Sequence, residues 1–309
     1  MKRITTRAEL DRALAQIQAS YSGTLAFAAH NLRTNEVVQI NADATFPTAS
    51  TIKLAILVEL FRLVDAGRID LHERMMLQSG DQVGGSGILK EFRSGLQPTI
   101  YDLAMLMVVL SDNTATNMLI DRVGGLDAIN RTMQERYGLH TIVLHNRVDF
   151  AAIGGDIRRF GEASPADLVR LVAGIAQGAL VSTAASAAML DIMERQQYLD
   201  QLPRYFNVNP YAKDLGLTQE IRIGCKTGFF TGTRVDSGVI RLPEETTIAY
   251  CAMTDQGHDA SFNAENEGAV INGLLGRVVL EYWWPASWDA ARLTLPSPYI
   301  DALVAILGD

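Results

Sequence analysis

Apolar and polar positions alternate along the chain with two different periods, and this separates predicted strands from predicted helices. Short apolar runs bounded by turn residues predict strands, whereas apolar residues three and four positions apart predict helices. The predicted strands are 24–31, 36–40, 221–230, 234–242 and 246–253. The predicted helices are 7–18, 50–66, 102–110, 114–123, 126–137, one that begins at 164–167, and 264–282. Residues 137–164 have weak periodicity and are predicted to form a long loop, and a loop of this length in a compact domain is usually functional or mobile.

The order of these elements predicts an α+β fold. Strands lie at both ends of the chain and helices lie between them, so one antiparallel sheet assembled from both termini and faced by terminal helices fits the pattern most simply. The boundaries that follow are a discontinuous sheet domain of 1–46 and 214–309, with an all-α domain of 47–213 inserted. The last residues, 296–309, have apolar positions at helical spacing and are predicted to pack against the sheet domain.

Composition and charge exclude several classes of function. The 309 residues are 48% hydrophobic and 20% charged, which is typical of a globular protein. A net charge of −8 without a basic stripe argues against a nucleic-acid partner. No apolar stretch reaches the roughly 18 residues of a membrane span, so no membrane partner is expected. The first residues lack an export signal, which predicts a cytoplasmic protein as written, or a periplasmic or secreted one if a leader was removed.

The histidines and cysteines do not indicate a metal site. The five histidines have no ligand spacing and there are only two cysteines, so we expect neither a metal nor a cofactor. Cys225 and Cys251 lie on predicted strands that a third strand separates. They would then be about 9–10 Å apart, too far for a disulfide.

The predicted helix from Ser50 to Ala66 is apolar on nearly every face, which indicates a buried central helix. Lys53 follows Ser50 by three positions, so the two side chains share a face. A buried lysine next to positive neighbours can accept the proton of a serine nucleophile, and the amides of a helix N-terminus can hold an oxyanion. Taken alone, the same residues also fit a helix cap followed by a solvated lysine.

A second polar motif, Ser111-Asp112-Asn113, lies in the turn between two predicted helices. The Ser111 hydroxyl could relay a proton to a leaving nitrogen, and the Asn113 amide could hold a substrate carbonyl. Helix capping is the alternative interpretation.

A third motif, Lys226-Thr227-Gly228, ends an apolar strand. Lysine and threonine at a strand edge can bind a carboxylate, and glycine lets a ligand backbone approach. The alternative interpretation is that these are ordinary surface residues without a functional role. All three motifs, once each and in this order, form the set that marks class A β-lactamases and penicillin-binding proteins.

On these residues the sequence resembles the class A β-lactamase family. The likeness runs from about Gly23 to Trp284 and includes Ser86-Gly87-Ile88-Leu89 and the helix start at Ser164. It implies the β-lactamase/transpeptidase-like α+β fold. It also implies a monomer that acts on a small-molecule substrate, a β-lactam or a related carboxylate-bearing amide or ester.

The resemblance assigns roles by position. Ser50 would be the acylated nucleophile and Lys53 its base, and Ser111 and Lys226 would form the proton and carboxylate side. The backbone amides of Ser50 and Phe229 would form the oxyanion hole. Further contacts to the substrate would come from Asn113, Thr227, Gly228, Arg234 and Ser86.

The long loop departs from the family pattern. The family's glutamate, followed four residues later by an asparagine, positions the water that frees the acyl-enzyme. This chain has Asp149 and Ile153 at the aligned positions. Aspartate is one methylene shorter than glutamate, so Asp149 could act on the water only if the loop backbone moves inward. Glu162 is a second acidic candidate. Asp149 could instead bind backbone amides or pair with Arg147 or Lys53.

Three hypotheses of function follow. The first is a serine β-lactamase-like hydrolase that opens a β-lactam amide through a Ser50 acyl-enzyme. The second is an acylating hydrolase of DD-peptidase, esterase or amidase type with weak β-lactam turnover. The third is a non-catalytic binding protein on the same fold, against which the joint presence of Ser50, Lys53 and Lys226 argues.

Overall fold

The structure is a computed structural model that describes residues 3–212 and 214–288. The predicted packing of segment 296–309 lies outside the described residues. The central feature is a five-stranded antiparallel sheet with the strand order β2-β1-β8-β7-β6. Its strands are β1 (Thr24–Asn31), β2 (Glu36–Ile40), β6 (Arg222–Phe230), β7 (Thr233–Arg241) and β8 (Thr247–Asp255). Because β1 pairs with β8, for example Ala28 with Cys251, the predicted sheet built from both ends of the chain is confirmed.

The helices occupy both faces of this sheet. They are α1 (Arg7–Ser20), α2 (Lys53–Asp65), α3 (Ile100–Val109), α4 (Asn113–Arg122), α5 (Gly125–Arg131), α6 (Phe150–Ile153), α7 (Pro165–Ala176), α8 (Thr183–Met193) and α9 (Glu267–Trp283). Local signals explain several helix starts: Thr6 and Glu9 form a capping box at α1, and Ser164 caps α7 just before Pro165.

Two hydrophobic clusters hold the layers together, one on each face of the sheet. On one face, α1 and α9 bury apolar residues such as Leu10 and Leu275 against Phe27. On the other face, α7 packs on the sheet and α2 runs through the middle of the helical layer. The buried charge of Glu59 in α2 is satisfied, since Arg62 donates two 2.7 Å hydrogen bonds to it. The central helix is therefore buried as its sequence predicts.

The start of this central helix differs from the prediction. Residues Ala49–Ile52 form a 3₁₀ turn, and the α-helix begins only at Lys53. The Thr51 amide and hydroxyl both donate to the carbonyl of Thr48, at 3.1 and 2.7 Å, and tighten this turn. The predicted helix 126–137 is also interrupted, because α5 ends at Arg131 and a π-helical turn, Thr132–Arg136, follows.

The segment 137–164 is not the structureless loop that weak periodicity predicted. It contains α6 and the short strands β4 (Val143–Leu144) and β5 (Gly161–Ala163), which join β3 (Phe46–Pro47) in a second sheet of order β3-β5-β4. Strands of two or three residues carry no detectable period, which is why the pattern missed them.

The cysteines follow the prediction. Cys225 on β6 and Cys251 on β8 are separated by β7, and both are free. In the part of the chain that the structure describes, no helix is long and apolar enough to cross a membrane. The division at residues 46 and 213 stays a prediction.

Candidate active site

Ser50 lies in the 3₁₀ turn and lines a cleft of about 220 Å³. The residue before it, Ala49, has a φ of 42°, a left-handed conformation that is strained for a residue with a Cβ atom. Such strain persists only where the surroundings enforce it, and it is concentrated at functional sites. The backbone therefore holds Ser50 in a defined position at the cleft.

Lys53 is fully buried one 3₁₀ turn after Ser50. In this geometry side chains three residues apart eclipse each other, so Lys53 is on the same face as Ser50. Its Nζ donates to the Ser111 carbonyl at 2.7 Å, to the Ser111 hydroxyl at 3.1 Å and to the Asn113 side-chain oxygen at 3.0 Å. Burial, assisted by the charge of Lys226, lowers the pKa of Lys53 well below its ordinary value. A neutral lysine at this place has two N–H groups for these three acceptors and can accept a proton, and the ammonium that forms has one N–H for each acceptor.

The Ser111-Asp112-Asn113 turn combines a helix cap with contacts to Lys53. Ser111 has a φ of 55° and is fully buried. Asp112 caps α4 and also accepts hydrogen bonds from the amides of Ile88 and Leu89, at 2.7 and 2.8 Å. The capping interpretation thus holds for Asp112, whereas its two neighbours are directed to Lys53.

Asn113 ties the loop that carries Ser86 to the site. Its backbone amide donates to the Ser86 carbonyl at 3.0 Å, and its side-chain nitrogen donates to the Gly84 carbonyl at 2.9 Å. Ser86 and Asn113 both line the cleft with Ser50. The structure therefore brings these three predicted residues together.

Lys226 and Thr227 lie on β6, the edge strand of the sheet. Lys226 is fully buried and its Nζ donates to the Thr227 carbonyl at 2.6 Å. Burial lowers the pKa of Lys226 to about 7, against the opposing influence of Cys225 and Asp236. The buried hydroxyl of Thr227 has no hydrogen-bond partner among the described residues. Such an unpaired group is unusual, because buried hydroxyls normally have a hydrogen-bond partner.

Gly228 sets the distance between β6 and the turn that carries Ser50. A Cβ atom at this position would lie 2.7 Å from the Ser50 amide nitrogen and 2.8 Å from the Thr48 carbonyl oxygen, closer than side chains approach. Only glycine allows this contact. Since Phe229 follows directly, the two predicted oxyanion-hole amides, of Ser50 and Phe229, belong to backbone segments that touch.

The Arg234 side chain is engaged by backbone carbonyls and by the Phe262 ring. Its guanidinium donates to the carbonyls of Phe230 and Thr233, at 2.7 and 2.8 Å, and to that of Ser261. It also lies 5.1 Å from the centre of the Phe262 ring. Burial lowers the pKa of Arg234. Its contact with a substrate carboxylate stays a prediction.

The two acidic candidates of the long loop have other partners. Asp149 is exposed and caps α6, where it accepts hydrogen bonds from the amides of Ala151 and Ala152 at 2.9 and 3.2 Å. Glu162 contacts Arg158 at 2.5 Å and His145 at 3.0 Å. Neither Asp149 nor Glu162 is among the described residues that line the cleft. The water-activating role of Asp149 stays a prediction.

Sequence reasoning missed two kinds of residue here. Phe160 and Phe262 line the cleft, but no local pattern distinguishes them from core or loop phenylalanines.

Asp236 on β7 is fully buried and accepts hydrogen bonds from the Leu202 amide at 3.0 Å and the Tyr250 hydroxyl at 3.3 Å. Burial raises its pKa to about 7. A charged residue inside an apolar strand was the signal that could have revealed it.

A sequence model described as the β-lactamase enzyme family matches residues 9–283. The chain belongs to this family. Among solved structures, a β-lactamase from Sphaerobacter thermophilus DSM 20745 is 31% identical, with a TM-score of 0.76 over 88% of this chain and 95% of that chain. The structure of PBP-A is 29% identical, with a TM-score of 0.75 over 90% and 97%.

Curated relatives agree with this assignment. Beta-lactamase BRO-1 of Moraxella catarrhalis is 25% identical over 245 residues, which cover 77% of this chain and 72% of the relative. The family and the α+β fold predicted from the three motifs are thereby confirmed.

Proposed function

We propose that the protein is a serine hydrolase that opens the amide bond of a β-lactam through an acyl-enzyme on Ser50. The observation that carries the proposal is the Lys53 side chain, which is buried one helical turn after Ser50 and hydrogen-bonded to Ser111 and Asn113. A solved variant of PBP-A, 28% identical to this chain, is an acyl-enzyme complex with penicillin G. This relative supports a small molecule of the same chemistry as the substrate.

The proposed acylation step uses the position of Lys53, one turn after Ser50, and its contact with Ser111. The neutral amine accepts the Ser50 proton while Oγ attacks the lactam carbonyl carbon, and the amides of Ser50 and Phe229 stabilise the oxyanion. The bond between the lactam carbonyl carbon and nitrogen then breaks, and the new ester bond between Ser50 Oγ and the carbonyl carbon remains. The leaving nitrogen receives the proton from Lys53 through the Ser111 hydroxyl, which is 3.1 Å from Nζ. The proton lost by Ser50 thus ends on the leaving nitrogen.

Substrate binding would rest on the edge of β6. The hydroxyl of Thr227 has no partner among the described residues, and Lys226 lies beside it. Together they can bind the carboxylate of a β-lactam, because a cation and a hydroxyl are its preferred partners. The Asn113 side chain at the cleft can hold the amide of the substrate.

A second candidate is an acylating hydrolase that releases β-lactams slowly and acts on a D-alanyl peptide, an ester or another amide. It is favoured by the environment of the cleft, where the lining residues described by the structure carry no carboxylate. Asp149 caps a helix and Glu162 pairs with Arg158. A general base next to the ester bond would then be missing, and its contribution is about 10²- to 10⁴-fold.

Intact mass after exposure to benzylpenicillin, together with steady-state hydrolysis of a chromogenic cephalosporin, tests the proposal. We expect a covalent adduct on the wild type and none on Ser50→Ala. Ser79→Ala, which removes an exposed serine of another 3₁₀ turn, is the matched control and should keep the adduct. Rapid turnover supports the β-lactamase, whereas a lasting adduct without turnover supports the second candidate. If neither an adduct nor turnover is observed, the result would indicate a non-catalytic binding protein.

A further inference from the structure

A buried glutamine lies directly behind the end of β6. Gln201 precedes a 3₁₀ turn, Leu202–Tyr205, that packs against α9. The residue is 2% exposed, and its side-chain nitrogen donates a 3.3 Å hydrogen bond to the Gly228 carbonyl. Gln201 is not among the described residues that line the cleft. Any influence that it has on the chemistry must therefore pass through the backbone of β6.

Two backbone carbonyls fix the direction of the Gln201 side-chain amide. Its oxygen accepts a 3.0 Å hydrogen bond from the side-chain nitrogen of Asn272 in α9. The same nitrogen donates to the Arg234 carbonyl at 3.4 Å. This chain of hydrogen bonds begins and ends on a backbone carbonyl, which can only accept. Turning either amide round would place two oxygens against each other, so the nitrogen of Gln201 must face Gly228.

The segment that carries Gln201 is itself fixed to the sheet. The backbone amide of Leu202 donates to the Asp236 carboxylate on β7 at 3.0 Å. Asn272 is fully buried in α9. Buried amides keep their hydrogen bonds, because leaving such groups unpaired is costly. The Gln201 side chain is consequently a fixed donor behind Gly228.

The Gly228 carbonyl belongs to the same peptide unit as the Phe229 amide, one of the two predicted oxyanion-hole donors. This peptide bond is trans, and in a planar trans unit the C=O and N–H groups point in opposite directions. A donor that fixes the carbonyl therefore also fixes the direction of the Phe229 N–H. Hydrogen bonds in a chain polarise one another, so the bond from Gln201 also makes this N–H a stronger donor.

Pairing within the sheet leaves one motion of this peptide unit for Gln201 to restrain. Gly228 faces Val235 on β7, which aligns the unit within the plane of the sheet. Glycine has no side chain to limit rotation of its backbone. Gln201 is held by α9, which packs on one face of the sheet. Its hydrogen bond opposes tilting of the peptide unit out of the sheet plane.

We infer that Gln201 is a positioning residue of the oxyanion hole, where it holds the Phe229 N–H toward the carbonyl oxygen of the acyl donor. The inference rests on the proposed function, since it concerns the transition state of Ser50 acylation. Negative charge develops on that oxygen as Ser50 attacks, so Gln201 acts on the chemical step. Loss of one oxyanion-hole donor slows catalysis about 10²- to 10³-fold. Tilting a donor that is still present should cost less, about tenfold.

Gln201→Leu tests this role, because leucine has a similar volume but cannot donate to the Gly228 carbonyl. Benzylpenicillin labelled with ¹³C at the lactam carbonyl forms an acyl-enzyme whose ester carbonyl band can be assigned in the infrared spectrum. We expect this band at higher wavenumber in the variant, since a weaker hydrogen bond polarises the carbonyl less. The acylation rate at saturating penicillin should fall about tenfold, with a half-saturation concentration within about twofold of the wild type.

Two further variants separate positioning from a general loss of stability. Gln219→Leu is the matched control, because the Gln219 side chain donates to the Asn209 carbonyl at 2.7 Å and neither residue lines the cleft. Its band and acylation rate should equal those of the wild type. Asn272→Leu removes the partner of Gln201 but keeps Gln201 itself. It should shift the band in the same direction as Gln201→Leu, and it carries the test if Gln201→Leu does not fold.

The outcomes distinguish this inference from the proposed function. A band at the wild-type position in Gln201→Leu and Asn272→Leu would overturn the inference while leaving Ser50 acylation intact, even if their rates fall. An equal shift in Gln219→Leu would overturn it too, because the effect would not depend on contact with Gly228. Absence of an adduct on the wild type would overturn the proposed function and this inference with it.

Discussion

The side-chain nitrogen of Lys53 lies 3.1 Å from the hydroxyl of Ser111, a residue 58 positions further along the chain. The same nitrogen is 2.7 Å from the Ser111 carbonyl oxygen. The two contacts hold the lysine side chain against the turn before α4. In the proposed acylation, the contact with the Ser111 hydroxyl lets a proton pass from Lys53 to the leaving nitrogen.

Lys53→Met should reduce the acylation rate about 10²- to 10⁴-fold, the usual contribution of a general base. Methionine keeps the length of the side chain but cannot accept a proton. In the wild type the pKa of Lys53 is already lowered well below its ordinary value. The acylation rate of the wild type should therefore not rise tenfold with each pH unit between pH 7 and 9. Stopped-flow acylation measured across this range checks both expectations, and such a rise would show that Lys53 is still protonated.

Gly228→Ala should slow acylation at least tenfold. The new Cβ atom would lie 2.7 Å from the Ser50 amide nitrogen, so β6 and the nucleophile turn must separate. Displacements near 1 Å can cost about 100-fold in rate. Gly224→Ala, on the same strand and the same face, is the matched control, because its nearest neighbours would be 3.4 Å away. Equal acylation rates in the two variants would contradict the role given to Gly228.

Asp149→Asn should leave the lifetime of the acyl-enzyme within about twofold of the wild type. Asparagine caps a helix about as well as aspartate, so the amides of Ala151 and Ala152 keep an acceptor. The adduct decay after removal of free penicillin provides the measurement. A decay slowed tenfold or more, with an unchanged acylation rate, would instead establish Asp149 as the base that activates water.

Asp236→Asn should change how stability depends on pH. Burial raises the pKa of Asp236 from its ordinary value of 3.8 to about 7. Between these values the folded state binds more protons than the unfolded state, so this residue makes the free energy of unfolding fall as pH rises from about 4 to 7. The contribution is constant above that range. Asparagine does not titrate. The free energy of unfolding of the variant should therefore rise relative to that of the wild type as the pH increases from about 4 to 7.

Urea unfolding of both proteins at pH 5, 6, 7 and 8 measures the difference. Asp43→Asn changes the net charge by the same amount at an exposed turn position and is the matched control. A difference between Asp236→Asn and the wild type that stays constant from pH 5 to 8 would exclude the raised pKa.

Much of the fold was predictable because its signals are local. The capping box of Thr6 and Glu9 marks the start of α1, and apolar periodicity outlines the strands that pair in the sheet. The three polar motifs likewise identify Ser50, Lys53 and Lys226 from short stretches of sequence. A period, a cap or a motif needs only neighbouring residues, and these the sequence supplies directly.

Other features of the site were decided only in three dimensions. Phe150 and Phe262 both line the cleft, although no local pattern in the sequence connects them. The occupied donors of Arg234 and the helix cap at Asp149 depend on backbone groups whose positions the chain sets only after folding. The sequence alone thus determined the element order and the three polar motifs. Tertiary packing decided the shape of the cleft and the partners of its charged residues, because hydrogen bonds and contacts between distant residues leave no period in the sequence.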